Sequence, residues 1–173
     1  MASRRNAATR RLAGGFLTLA LSACADPRLP TQPSEVAPYP AKIVALEAEA
    51  GSGDGQVRER SRASGGLTVH LGPGESRRWT FTIPSAAAPF AVSVTYANGQ
   101  EGENEVIDVT LDETLISSFR NRDSGDAIEG WNLFVTDPAG RSMLATGTHT
   151  LVLGVEGGDG CVEIDVITVS PER

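Results

Sequence analysis

The chain has 173 residues and a formal net charge of −7, from 22 acidic and 15 basic side chains, and aromatic residues make up only 5%. Such an acid excess argues against nucleic acid or an anionic membrane surface as the partner, since both repel it. Two cysteines and two histidines are too few for a Cys/His metal cluster.

Residues 1–23 contain Arg4, Arg5, Arg10 and Arg11 and no acid, followed by the apolar run Leu12 to Ala23. A basic stretch before a short apolar one is the pattern of a secretory signal, too short for a membrane span. Leu21-Ser22-Ala23-Cys24 resembles a bacterial lipobox. The resemblance implies that Cys24 is lipidated, becomes the mature N-terminus and holds the protein at the cell envelope through the lipid alone. The competing expectation is cleavage after Ala23-Cys24-Ala25, which would release a secreted protein. The Arg pairs hint at twin-arginine export, although Asn6-Ala7 and Leu12-Ala13 after them fit it poorly. Losing the signal removes four of the 15 basic residues and leaves 11 against 22 acids, a net charge of −11. Residues 24–41 hold Pro27, Pro30, Pro33, Pro38 and Pro40 without periodicity, and read as an extended tether. With Cys24 committed to lipid, Cys161 has no intrachain disulfide partner and reads as a small apolar residue at the start of a strand.

The domain proper covers residues 42–170. Its first expected strand is Ile43 to Glu49. Side chains two apart on a strand share a face, so Val44, Leu46 and Ala48 face inward while Glu47 and Glu49 project together. Neighbouring carboxylates repel unless a proton or a cation sits between them. By spacing alone the pair reads as two solvated acids on an outward face. Leu67 to Leu71 alternates, and Gly72-Pro73-Gly74 turns the chain. Trp79, Phe81 and Ile83 alternate with Arg78, Thr80 and Thr82 until Pro84. Phe90, Val92, Val94 and Tyr96 share a face, and Asn98-Gly99 is a hairpin-type turn signal. Ile107, Val109 and Leu111 follow, then Thr114 to Phe119. A polar loop, Arg120 to Gly130, precedes a strand from Trp131 to Val135, and Asp137-Pro138-Ala139-Gly140 reads as a turn. Ser142 to Thr146, His149 to Val155 and Cys161 to Val169 complete the set, with Asp165 between Ile164 and Val166. No helical stripe exceeds three turns. Nine or ten short strands predict an all-β fold, a sandwich of two antiparallel sheets.

Catalytic signals are missing from the sequence. No serine stands in a nucleophile elbow, the glycine-rich segment 51–55 lacks the lysine of a phosphate loop, and nothing selects a glycosidase pair from the many acids. The chain reads as non-catalytic. His70 and His149 lie in strands, where packed or surface roles are the ordinary expectation.

An ordered set of pieces carries a family resemblance. These are Glu47-Ala48-Glu49, Ala63-Ser64-Gly65-Gly66, Leu71-Gly72-Pro73-Gly74-Glu75 leading to Trp79-Thr80-Phe81, Val94 to Gly99, Trp131, Gly147 to Leu151, and Val162-Glu163-Ile164-Asp165. Together they resemble carbohydrate-binding module families 6 and 35, whose fold is a galactose-binding-like jelly-roll sandwich. The resemblance implies a structural Ca²⁺ on Glu47, Glu49 and Asp165, with a backbone carbonyl near Ser64 to Gly66 as a further ligand. It also implies glycan binding by loops at one end, with Trp131, Tyr96, Asn98 and Asp159 as the candidate contacts. Tyr96 continues an inward face and Trp131 opens a strand, so each also fits a core role; Asn98 also fits a turn. Two departures thin the sugar site: Asp159 stands where members often place Asn, and Leu67 where they often place an aromatic. Two function classes therefore follow. One is a surface-anchored glycan-binding module; the other is a degenerate sandwich serving as a structural or protein-interaction domain.

Overall fold

Period-two alternation of apolar side chains builds this protein, because each strand must bury one face. The structure, a computed structural model, describes residues 43–84, 88–99, 102–125, 127–158 and 160–172. The signal, the tether with Cys24, and Asp159 lie outside these residues. The strands are β1 (Val44–Glu47), β2 (Ser52–Gly53), β3 (Gln56–Glu59), β4 (Leu67–Leu71), β5 (Ser76–Ile83), β6 (Ala88–Ala97), β7 (Val106–Leu111), β8 (Thr114–Arg120), β9 (Val135–Leu144), β10 (Gly147–Glu156) and β11 (Val162–Pro171). A single helical turn, α1 (Ala127–Gly130), stands before β9. Among the described residues no helix is long and apolar enough to cross a membrane.

Two antiparallel sheets face each other. One runs β3-β4-β11-β6-β9, with β1 also on β11, and the other runs β2-β5-β10-β7-β8. Between them lie the alternating sets expected from the sequence: Trp79, Phe81 and Ile83; Phe90, Val92, Val94 and Tyr96; Ile107, Val109 and Leu111; Leu151, Leu153 and Val155. Each fully buried large apolar side chain contributes about 1.5–3 kcal/mol.

Four local expectations change. The strand expected from Trp131 to Val135 begins only at Val135 and runs on to Leu144, taking in the strand expected from Ser142. The first strand ends at Glu47, and Ala48–Ala50 forms a 3₁₀ turn. The buried Arg77 guanidinium gathers this loop by donating to the carbonyls of Ala48, Asp54 and Gly51, each at 2.8 Å. Residues 51–59, where no strand was expected, supply β2 and β3. Asp137-Pro138-Ala139-Gly140 does not turn the chain but runs through β9, where the register to β6 shifts between Ala91 and Ser93. That strand is a sheet edge, the place where a proline costs no ladder bond.

The feature that positions the candidate site is a bulge in β11. Its register to β6 shifts between Ile164 and Val166, leaving Asp165 as the extra residue. Val162 and Ile164 face the core before the bulge, and Ile167 and Val169 after it. The same strand changes partner here along its other edge. β4 pairs up to Ile164 opposite Val69, and β1 takes over at Val166 opposite Glu47. Asp165 therefore sits in the seam where β1 ends and β4 begins.

Candidate functional site

The first cluster fills that seam. Ser64 opens a 3₁₀ turn, Ser64–Gly66, in which Gly65 and Gly66 hold positive φ angles of 64° and 81°. Its backbone N–H donates to Asp165 Oδ1 at 2.8 Å, and its hydroxyl donates to Glu47 Oε1 at 2.9 Å. Glu49 joins from the other side, with Oε1 3.4 Å from where a side chain on Gly65 would begin. Glu47 Oε2 and Glu49 Oε2 are buried without any hydrogen-bond partner. Asp165 is 4% exposed. Burial pushes its carboxyl up to about 6, the fields of Glu47 and Glu49 push the same way, and the Ser64 N–H opposes them. Among the described residues no three acidic, His or Cys side chains are close enough to grip an ion as they stand. The three acids share a neighbourhood, since Ser64 joins Glu47 to Asp165 and the fields of Glu47 and Glu49 both act on Asp165, without forming a closed cage. Two carboxylate oxygens without partners among the described residues, beside a third acid whose ionisation burial opposes, fit a hard cation that prefers oxygen.

The second cluster lies on the outward face of the six-stranded sheet. Glu163 is 0% exposed, yet it is an acid on that face. Arg60 grips it with two bonds of 2.6 and 2.5 Å, and Thr68 Oγ1 donates at 2.9 Å. Arg58 Nη1 and His70 Nδ1 stand farther out, 3.6 and 3.5 Å from Glu163 Oε1. Burial opposes ionisation of Glu163, but His70, Arg60 and Thr68 together hold its carboxyl down at about 2. His70 is pushed up to about 9, by its contacts with Cys161 and then Glu163, and so carries a proton at neutral pH. Half-buried Trp131 packs against it, ring centroids 5.9 Å apart at 51°. The loop before Trp131 is pinned by Ser124 Oγ, which donates to Gly130 O at 2.9 Å.

No protein-family model and no curated protein matches the chain. Solved structures do match. A family 35 carbohydrate-binding module from Clostridium thermocellum aligns with a TM-score of 0.64 at 18% identity, covering 76% of this chain and 100% of that one. The C-terminal family 6 module of a laminarinase from Zobellia galactanivorans aligns with a TM-score of 0.61 at 16% identity, covering 75% and 99%. This chain has the fold of those modules. An exo-β-1,3-galactanase from Phanerochaete chrysosporium, solved with β-1,3-galactotriose, aligns with a TM-score of 0.61 at 23% identity. There the match covers 75% of this chain and only 29% of the galactanase chain.

Within this module fold the expected sugar contacts separate. Tyr96 is 0% exposed. Its hydroxyl donates to Asp137 Oδ2 at 2.5 Å and accepts the Arg122 N–H at 3.0 Å. It is a core residue with a satisfied polar end and offers no face to a ligand. Asn98, 1% exposed, turns its amide to Glu105 Oε2 at 3.2 Å and is likewise enclosed. Both were drawn inward because β6 and its exit point to the core. Trp131 alone of the described candidates is only partly buried. Glu163, Arg60, Arg58 and Thr68 escaped the sequence reading. The one available signal was an acid at 163 between two core residues, Val162 and Ile164.

Proposed function

We propose that this domain is a non-catalytic, carbohydrate-binding-module-like unit, displayed at a bacterial cell envelope by a lipid on Cys24. Glu47, Glu49 and Asp165 hold a structural Ca²⁺, and Trp131 is the glycan platform. The observation that carries the sugar reading is the state of the two tryptophans within a module fold. Trp79 is 3% exposed and spends its Nε1 on Glu47 O at 2.9 Å, whereas Trp131 remains half open beside polar and charged groups. An aromatic face stacked on a sugar ring contributes on the order of 1–3 kcal/mol by analogy with other stacking platforms, so affinities near 0.1–1 mM are the expectation for one platform. The support for calcium is the pair of orphaned oxygens beside Asp165.

A glycan array probed with and without chelator tests the sugar reading; calcium-dependent retention on a defined glycan class is expected. Silence on every glycan by folded, calcium-loaded protein would leave the second reading, a structural or protein-interaction sandwich. Burial of Tyr96 and Asn98 favours that alternative. Mass spectrometry of the mature protein tests the anchor. A lipid-modified N-terminal Cys24 is expected, and an unmodified N-terminus at Asp26 would mean ordinary secretion.

A further inference from the structure

Arg77 is 7% exposed, yet among the described residues its guanidinium makes no ion pair. A buried charge without a counter-ion is costly unless its donors are taken up. Here they go to the backbone of one loop. Nε donates to Ala48 O and Nη1 to Asp54 O, each at 2.8 Å, and Nη2 donates to Gly51 O at 2.8 Å and Glu49 O at 3.3 Å. Trp79, two residues along the same buried face of β5, donates its Nε1 to Glu47 O at 2.9 Å. Gly51 lies so close on the Trp79 ring that a side chain there would begin 2.7 Å from it. The 3₁₀ turn Ala48–Ala50 has no side-chain cap of its own. The bonds from β5 therefore fix where the Glu49 side chain leaves the turn. The charges agree with this placement. None of Glu47, Glu49 and Asp165 forms an ion pair among the described residues. Ionised, they carry three negative charges; Ca²⁺ supplies two positive ones and Arg77 the third, so the loaded site is neutral only when Arg77 is counted.

We propose that Arg77 is a positioning residue for the calcium site: it fixes the Ala48–Asp54 backbone so that Glu49 reaches the seam, and it supplies the remaining counter-charge. The assignment rests on the calcium reading and adds to it a residue that is not a ligand of the ion. Isothermal titration of calcium into metal-free protein at pH 7 tests it, with the natural chain, Arg77→Gln, Arg77→Lys and Val109→Ala. Val109, 0% exposed on β7 of the same sheet, is the control for lost packing. Arg77→Gln loses both the charge and the planar fork of donors, and should weaken calcium binding at least about tenfold. Arg77→Lys keeps the charge and should recover part of that loss. Val109→Ala should lower the metal-free Tm yet leave the calcium affinity within about twofold of the natural one. If Arg77→Gln does not fold, Arg77→Lys carries the test and should still bind calcium more weakly than the natural chain. Undiminished affinity in folded Arg77→Gln, or in Arg77→Lys where Arg77→Gln does not fold, overturns the assignment and leaves calcium binding standing. An equal loss of affinity in Val109→Ala does the same. Neither heat nor a rise in Tm when calcium is added to the natural chain removes the calcium reading as well.

Discussion

Acidifying the metal-free protein from pH 7 to pH 5 should stabilise it, and calcium at pH 7 should do the same. Asp165 carries both effects. Its carboxyl is pushed up to about 6 by burial and by Glu47 and Glu49, whereas an unfolded Asp titrates near about 3.9. The folded chain thus holds a proton that the unfolded chain has lost. The cost of ionising Asp165 in the fold is absent below the unfolded value, grows between the two values, and is complete above about 6. A gap of about two pH units corresponds to roughly 3 kcal/mol. Calcium would take the proton's place. A cation that binds only the folded state stabilises by about 2.7 kcal/mol at a hundredfold excess over Kd. For a domain of this length, one kcal/mol moves Tm by about 3–6 °C, so calcium should raise it on the order of 10 °C. Circular dichroism melts at pH 5, 6 and 7, with chelator or with calcium, read both effects. Asp165→Asn keeps an acceptor for the Ser64 N–H but removes one of three crowded charges. Its metal-free Tm at pH 7 should therefore exceed that of the natural chain, change little down to pH 5, and gain far less from calcium. A metal-free Tm that falls on acidification, or a calcium shift undiminished in Asp165→Asn, would refute the reasoning.

Other perturbations separate the remaining claims. His70, held up at about 9 by Cys161 and Glu163, contributes stability that is complete below about 6.5 and lost as pH rises toward 9; His70→Gln should flatten the melts over that window. Glu163→Ala should cost about 1–3 kcal/mol in denaturant titration, because it removes the fully buried acid that accepts two charge-assisted bonds from the partly exposed Arg60. Tyr96→Phe removes two hydrogen bonds to Asp137 and Arg122 and should cost about 1–3 kcal/mol. In the natural chain burial, and then Asp137, push the Tyr96 hydroxyl up to about 12, so ultraviolet titration should find it un-ionised in the fold at pH 11. Trp131→Ala should abolish glycan binding at a stability cost well under the about 3–5 kcal/mol expected for Trp79→Ala. A loss as large as that of Trp79→Ala would make Trp131 a core residue and end its platform role.

Alternation in the sequence determined most of this architecture, because a strand that must bury one face writes that need at every second residue. Trp79 to Ile83, Phe90 to Tyr96 and Ile107 to Leu111 all point where their period says, and no helical stripe competed with them. The order of short motifs was also enough to indicate a module of this fold. Four things were not local and could not be read. The first strand stops at Glu47 because Arg77, distant in sequence, draws the Ala48–Asp54 carbonyls together. Glu47, Glu49 and Asp165 meet because β1 and β4 share one edge of β11 and hand over at the bulge, a matter of pairing and not of spacing. Tyr96 and Asn98 looked equally suited to core and ligand, and only the packed sheets decided that both are enclosed. The Arg58, Arg60, His70 and Glu163 cluster has its members spread from β3 to β11. Charged residues on separate strands become one site only when the register sets them side by side, and register is a tertiary property.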